Sequence, residues 1–261
     1  IGKTFCAQLQ QDNAVGLLAA SVEDILSAQN ATAAQFESGA GVISKLGTSV
    51  STFYPVHNTE LMPEDPLQAI RSGNAADVAV LIGSNSDETT LWGHGDVDDT
   101  KLQRIAAEFN VTNGVSTYRA NRPDASAAQL LVALTSDHMF RIPGIRLAEA
   151  QTEHTPNVWM YLFDWKSRAF DGRLGATHAL EIPFAFNNLD RAGVDIFIGP
   201  GPVPQHLADT MHDAWSAFIK NGTLHWPSYT LAQRATMVFD DSSATVDDPM
   251  SDERIIWESV R

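Results

Sequence analysis

Three short apolar runs along the chain predict β-strands. Residues 78–83, 157–163 and 236–239 are rich in β-branched, aliphatic and aromatic side chains. Long stretches with apolar residues at helical spacing separate the three runs. Strands that alternate with helices are typical of proteins in which helices cover the faces of one sheet. The pattern therefore predicts an α/β layer architecture.

The helical stretches are predicted from their periodicity and from their start and stop residues. The helix at residues 205–220 has apolar residues on one face, and Gly222 follows where a C-terminal stop is expected. Breaks are expected at Gly114, Pro123 and Pro143 within a long helical region. The other predictions are helices at residues 4–30, 31–44, 99–152 and 251–258, an extended segment at residues 49–56, and a short helix within a loop at residues 63–73.

Length and charge limit the classes of protein that this chain can belong to. Its 261 residues suit one large domain or two small ones, and no repeat divides them. No apolar stretch approaches the roughly 20 residues that span a bilayer, so a membrane role is not expected. Lys and Arg total 17 against 32 for Asp and Glu, which gives a formal charge of −15. Such a charge repels polyanions, so nucleic acid is not an expected partner.

The single cysteine bears on the cellular compartment of the protein, and the first residue on whether upstream sequence is missing. Cys6 has no second cysteine to pair with, so an intrachain disulfide is excluded and the cytoplasm is favoured over an oxidising compartment. The sequence starts at Ile1, and no basic segment followed by an apolar one resembles an export signal there. We therefore expect that upstream sequence is missing.

Two segments carry candidate catalytic chemistry. The first predicted strand ends in a Gly-Ser-Asn turn and is followed by Asp87 and Glu88. Much later, a loop of small residues carries His178 ahead of Glu181. An acid after a strand and a later loop histidine follow the chain order of the α/β-hydrolase triad, Ser, then Asp or Glu, then His. These residues would supply a base and the acid that orients it, but not the nucleophile.

The same segments resemble the type-B carboxylesterase and cholinesterase family. That family has a G-x-N-x-D-E stretch and a G-A-x-H-x-x-E-x-P-F stretch, which are matched here by Gly83, Asn85, Asp87, Glu88, Gly175, Ala176, His178, Glu181, Pro183 and Phe184. Further similarity covers nearly the whole chain. The resemblance implies that residues 1–261 are the C-terminal part of an α/β-hydrolase domain, with part of a mixed, mostly parallel sheet. It departs at Thr89, where the family often has glycine.

The resemblance also assigns roles to residues. It implies that Glu88 is the catalytic acid, His178 the base, and a small carboxylic ester the substrate, with no metal or organic cofactor. Asp87 is then left with a supporting role as a turn cap. Glu181 either orients the histidine loop through backbone contacts or forms a surface ion pair. Leu91 and Trp92 either line a substrate pocket or pack in the core.

The nucleophile and the oxyanion hole are missing from the sequence. A serine elbow needs G-x-S-x-G, and no such pentapeptide occurs; Gly83-Ser84-Asn85 has the wrong spacing. In the resembling family both elements lie upstream. The chain alone is therefore expected to be inactive and to pair with an N-terminal half of the same protein or with itself.

Two other functions and one metal site are compatible with parts of the sequence. The chain could belong to a non-enzymatic, cholinesterase-like adhesion protein, or it could be a free-standing ligand-binding module. The serine position upstream would distinguish the first, and the stability of the isolated chain the second. The acidic loop at Asp96, Asp98 and Asp99 lacks the glycine and the bidentate glutamate of a calcium loop, so no metal is expected.

Overall fold

The structure is a computed structural model that describes residues 1–37, 53, 55–92 and 94–260. These residues form two compact units, Ile1–Met62 and Pro63–Arg261. The first unit contains three helices in its described part: α1 (Gly2–Gln8), α2 (Ala14–Ala19) and α3 (Val22–Glu37). The predicted extended segment at residues 49–56 lies mostly outside the described residues, as does the end of the helix predicted at residues 31–44.

The helical stretch predicted at residues 4–30 is divided among α1, α2 and α3, because two side chains start new helices within it. The Asn13 side chain accepts a hydrogen bond from Gly16 N at 2.9 Å and caps α2. The Ser21 hydroxyl accepts from Asp24 N at 3.1 Å, at the start of α3. A capped start satisfies backbone N–H groups that have no partner within the helix. Local capping therefore outweighs the continuous helical periodicity.

The second unit is built on a four-stranded sheet. Its strands are β1 (Val80–Asn85), β2 (Val158–Phe163), β3 (Ala235–Phe239) and β4 (Ala244–Asp247), in that spatial order. The β1–β2 and β2–β3 pairs are parallel, and β3–β4 is antiparallel. The three strands predicted from apolar runs are confirmed. Strand β4 was missed because all four of its residues are exposed, which leaves no apolar pattern to recognise.

Helices cover this sheet and connect its strands. The helix predicted at residues 205–220 is confirmed as α11 (Gln205–Asn221), since Gly222 follows it at φ +67° and donates from its N–H to Phe218 O at 2.8 Å. The described helices of this unit are α4 (Pro66–Arg71), α5 (Asp99–Glu108), α6 (Val115–Asn121), α7 (Ala127–Ser136), α8 (Ile142–Thr152), α9 (Ile182–Ala185), α10 (Val194–Ile198), α11 (Gln205–Asn221) and α12 (Ser251–Ile256).

One predicted helix break is displaced. Gly114 and Pro123 fall between helices, as expected, but Pro143 lies in the first turn of α8. Proline is tolerated there because the first N–H groups of a helix lack intrahelical partners. The irregularity is instead a π-helical turn at Asp137–Arg141, between α7 and α8. Such turns insert an extra residue into a helix and often occur at functional sites.

Strand β2 is buried on both faces and divides the core into two layers. Val158 and Met160 face a cluster formed mainly by α5, α6, α7 and α8. Trp159 and Phe163 face the other cluster, with α9, α11 and Trp226. Alternate side chains of a strand point to opposite faces, so a strand covered on both sides is apolar throughout. The continuous apolar sequence of β2 follows from this position.

A buried polar network fixes the π-helical turn against α6 and α12. Arg141 donates to both carboxylate oxygens of Asp137, from Nε at 2.6 Å and from Nη2 at 2.7 Å. The Tyr118 hydroxyl also donates to Asp137 and accepts from Trp257 Nε1 at 2.8 Å. Fully paired charges of this kind define one geometry, whereas removing one partner would leave a buried charge unpaired.

We expect Gly83→Ala to destabilise the fold by at least about 1–3 kcal/mol, the usual range for overpacking. A Cβ at Gly83 would lie 2.3 Å from Tyr161 O, and neither backbone can move within the β1–β2 pair. Urea unfolding measures the effect. Gly144→Ala is the matched control, because its Cβ would lie 3.7 Å from Ile82 Cγ1 and the helix should gain up to about 1 kcal/mol. Equal stability of the two variants would contradict the prediction.

Candidate active site

Glu88 lies immediately beyond β1, in a short 3₁₀ turn at Glu88–Trp92. The residue is 5% exposed. Its Oε1 accepts a hydrogen bond from Asn85 N at 2.9 Å, which turns the carboxylate back towards the end of the strand. Burial together with a fixed backbone donor leaves the second oxygen, Oε2, in one defined direction.

His178 meets that second oxygen. Its Nδ1 lies 2.6 Å from Glu88 Oε2, and its backbone N–H donates to Glu88 O at 3.2 Å. The imidazole side chain is 47% exposed, in contrast to the buried acid. With Nδ1–H donating to the carboxylate, Nε2 is the nitrogen that can accept a proton. This is the arrangement of a general base oriented by an acid.

The environment of Glu88 shifts its protonation equilibrium. Burial raises the pKa of the Glu88 carboxyl above its ordinary value. The hydrogen bonds from the Asn85 N–H and from His178 act in the opposite direction, but they do not cancel the effect of burial. The hydrogen bonds from Asn85 N and His178 therefore stabilise the charged form of this buried carboxylate.

Asp87 joins the turn after β1 to the histidine loop. Its backbone N–H donates to Ala176 O at 3.0 Å, and its Oδ2 accepts from Ala176 N at 2.9 Å. Gly175 has φ +59°, and a Cβ there would lie 2.3 Å from Asp87 Oδ2. The predicted turn-capping role is therefore wrong in its detail, because this carboxylate binds a different loop and not its own turn.

Asn85 and Glu181 form a second link to the histidine loop. The Asn85 amide donates to Thr177 O at 2.7 Å and to Glu181 Oε2 at 2.5 Å. The Glu181 carboxylate thus accepts from a side chain, and forms neither the backbone contacts nor the surface ion pair expected from the sequence. The motif itself indicates no role for Asn85, because sequence spacing does not show which backbone group its amide will face.

Aromatic rings flank the imidazole. The Trp92 ring centroid lies 5.2 Å from that of His178, and the Phe140 centroid lies 5.4 Å from it. Trp92 and Phe140 also stack on each other at 5.7 Å. Leu91 is 49% exposed, so it is not a core residue. Phe140 was missed because its place in the π-helical turn has no signature in the apolar pattern.

Thr89, at the position where the related family often has glycine, anchors the turn to α7. Its Oγ1 lies 2.6 Å from Thr135 Oγ1, and its N–H donates to Ser136 Oγ at 3.2 Å. The residue is 1% exposed. Thr89 therefore provides a buried hydrogen-bonded contact next to Glu88.

The acidic loop after this turn has a structural role. The Asp98 side chain accepts from Lys101 N at 2.8 Å and caps α5, while Lys101 Nζ donates to the backbone oxygens of His94 and Asp96. Within the described ranges, no group of three or more His, Cys, Asp or Glu side chains is placed to hold a metal ion.

No helix in the described part of the chain is long and apolar enough to cross a bilayer.

The fold is similar to solved esterase structures. A carboxylesterase from Geobacillus stearothermophilus aligns over 98% of this chain and 53% of its own, with 28% identity and a TM-score of 0.76. A PNB esterase aligns over 97% and 52%, with 26% identity and a TM-score of 0.75. The mixed, mostly parallel sheet with its flanking helices is thus part of an α/β-hydrolase fold.

The sequence relationships are more specific. The carboxylesterase family profile matches residues 3–255. The para-nitrobenzyl esterase of Bacillus subtilis is 31% identical over 77% of this chain and 42% of its own length. The phenmedipham hydrolase of Pseudarthrobacter oxydans is 30% identical over 78% and 43%. The chain belongs to the carboxylesterase family and spans about half the length of these relatives.

We expect Glu88→Gln to become more favourable to folding, relative to the wild type, as the pH rises. A carboxyl whose pKa is raised in the folded state opposes folding once it ionises, so its penalty develops from its ordinary value of 4.5 upward and is complete above the folded pKa. Glutamine keeps an oxygen for Asn85 N and has no charge. Urea unfolding of both chains at a series of pH values from about 4.5 to 8 measures the difference, and a difference that is constant with pH would contradict it.

Proposed function

We propose that this chain is the C-terminal part of a serine carboxylesterase, in which Glu88 is the triad acid and His178 the base. The observation that carries the proposal is the 2.6 Å contact between His178 Nδ1 and a buried Glu88 oxygen, made by an imidazole that is half exposed. A purely structural histidine has no need of a buried acid on one nitrogen and an open second nitrogen. Membership of the carboxylesterase family supports the same reading.

The proposed reaction proceeds through an acyl-enzyme. His178 Nε2 takes the proton of a serine hydroxyl as its oxygen attacks the ester carbonyl, and Glu88 stabilises the imidazolium that forms. The imidazolium then protonates the departing alcohol, which leaves the acyl group on serine. A water molecule, deprotonated by His178 in turn, attacks this acyl group, and the imidazolium then protonates the serine oxygen as the carboxylic acid leaves. These steps require no metal or organic cofactor.

The serine and the oxyanion donors would come from upstream sequence. The chain has no G-x-S-x-G pentapeptide, and it matches only 42–43% of the length of its para-nitrobenzyl esterase and phenmedipham hydrolase relatives. Each oxyanion donor contributes about 2.7–4 kcal/mol to catalysis. We therefore expect this chain alone to form the contact between His178 and Glu88 but to hydrolyse no ester.

The proposed substrate is a small-molecule carboxylic ester. Trp92 and Phe140 form an aromatic surface against the imidazole, and Leu91 is exposed on the same turn as Trp92. Apolar and aromatic surfaces of this kind line most small-molecule sites. We propose that Leu91 and Trp92 contact the substrate beside the reacting carbonyl.

The proposed partner is the upstream half of the same protein, or a second copy when that half is absent. Among the described residues, β1 pairs with β2 on one edge and has no strand on its other edge. Unpaired N–H and C=O groups along a strand edge bind another strand readily. A covering strand would also bury Val80–Gly83, which are only half-buried.

We expect the purified chain to have no saturable activity on a p-nitrophenyl ester, and a longer chain that includes a serine elbow to be active. In the active protein, His178→Ala should lower kcat by about 10⁴-fold or more, because the base is lost. His206→Ala, which changes an exposed histidine at the start of α11, is the matched control. Turnover by the chain alone, or near-normal kcat in His178→Ala, would refute the respective part of the proposal.

We expect the isolated chain to associate through its open edge. Light scattering across a concentration series should show a mass that rises with concentration, and a hydrophobic dye should bind, because an open edge and half-covered apolar residues remain. Addition of a separately produced upstream half should suppress both effects. A strictly monomeric chain that binds no dye would instead indicate a closed core and a free-standing module.

A further inference from the structure

The ammonium group of Lys166 lies where the ends of β1 and β2 meet. Its Nζ donates to Asp87 Oδ2 at 2.7 Å, to Ser86 Oγ at 2.7 Å and to Asp164 Oδ1 at 2.8 Å. Ser86 in turn donates to Asp164 Oδ1 at 2.5 Å. An ammonium has three N–H donors, and all three are used here. The group therefore has a defined position although half of the side chain is exposed.

The oxygen of Asp87 that binds Lys166 also binds the histidine loop. Asp87 Oδ2 accepts from Lys166 Nζ and from Ala176 N, so one atom joins the lysine to a backbone group two residues before His178. The Asp87 N–H donates to Ala176 O at the same point. The neighbouring residue on one side is Glu88, which binds His178. The Asp87–Ala176 contact and the Glu88–His178 contact therefore lie close together, both in the turn after β1 and in the histidine loop.

Lys166 also compensates the negative charges of Asp87 and Asp164. Asp87 and Asp164 follow adjacent strands and bind the same ammonium, so their two carboxylates would repel one another without a cation. Partial burial acts to lower the pKa of the Lys166 ammonium, but Asp87 and Asp164 raise it above its ordinary value. The cation that holds Asp87 in place is thus itself kept charged by its partners.

We propose that Lys166, acting through Asp87, is a positioning residue that holds the histidine loop in register with Glu88. The proposal rests on the catalytic roles proposed above for Glu88 and His178, but the contact itself exists in this chain. Lys166 touches neither residue. Its effect is transmitted by the Asp87 carboxylate to Ala176 and from there to the imidazole.

The test uses the chain itself and needs no enzyme activity. In Lys166→Met, amide hydrogen exchange at Ala176 and His178 should be roughly three- to fivefold faster, as expected for the loss of a partly exposed ion pair. The low-field NMR resonance of the His178 Nδ1 proton should broaden or disappear. Lys166→Arg keeps a cation and should be less affected than Lys166→Met. Lys220→Met, at an exposed lysine at the end of α11, should change neither signal.

A double-mutant cycle tests whether Asp87 transmits the effect. Asp87→Asn keeps an oxygen for Ala176 N but removes the charge, so adding Lys166→Met to it should cause little further change at Ala176. The proposal is overturned if Lys166→Met leaves both signals unchanged, or if its full effect persists in the Asp87→Asn background. It is also overturned if exchange accelerates equally at Tyr161 in the central strand, which would indicate general destabilisation. Failure of the esterase proposal would alter none of these readouts.

Discussion

The parallel pairing of β1 with β2 is the constraint on which the site depends. Residues Val80 to Asn85 pair in unbroken register with Val158 to Phe163, and Gly83 permits the close approach to Tyr161. Because both strands run in the same direction, both segments that follow them leave the sheet at one edge. The acid turn follows the first strand and the histidine loop the second. A slip of one residue would reverse every side chain of β1 and separate the two.

The site combines a buried carboxylate with an open imidazole, and each part depends on the other. Burial makes the charged form of Glu88 unfavourable, so its bonds to Asn85 N and His178 are needed to compensate. The same burial keeps water from competing for the carboxylate, so its bond to Nδ1 holds the ring orientation. Links from Asp87 to Ala176 and from Asn85 to Thr177 hold the two loop residues that directly precede His178.

A buried polar network away from the site fixes the position of Phe140, one of the two aromatic rings that flank His178. The π-helical turn at Asp137–Arg141 is held by the fork between Arg141 and Asp137, and Tyr118 and Trp257 complete the network. Phe140 belongs to this turn and therefore has a fixed position against Trp92 and His178. The buried charges thus do more than stabilise a helix junction, because they determine which side chain reaches the imidazole.

The sequence by itself determined the strands β1 to β3, helix α11 with its Gly222 stop, and the residues Glu88 and His178 as a candidate acid and base. These follow from local patterns: apolar runs, helical periodicity and a motif carried by consecutive residues. Only the tertiary structure decided what Asp87, Asn85, Phe140 and Lys166 contact, that Thr89 binds Thr135, and that β4 pairs with β3. Each of these contacts joins segments that are distant in sequence, through groups whose directions are set by sheet register and helix packing. Sheet register and helix packing produce no periodic pattern that could be recognised in the sequence.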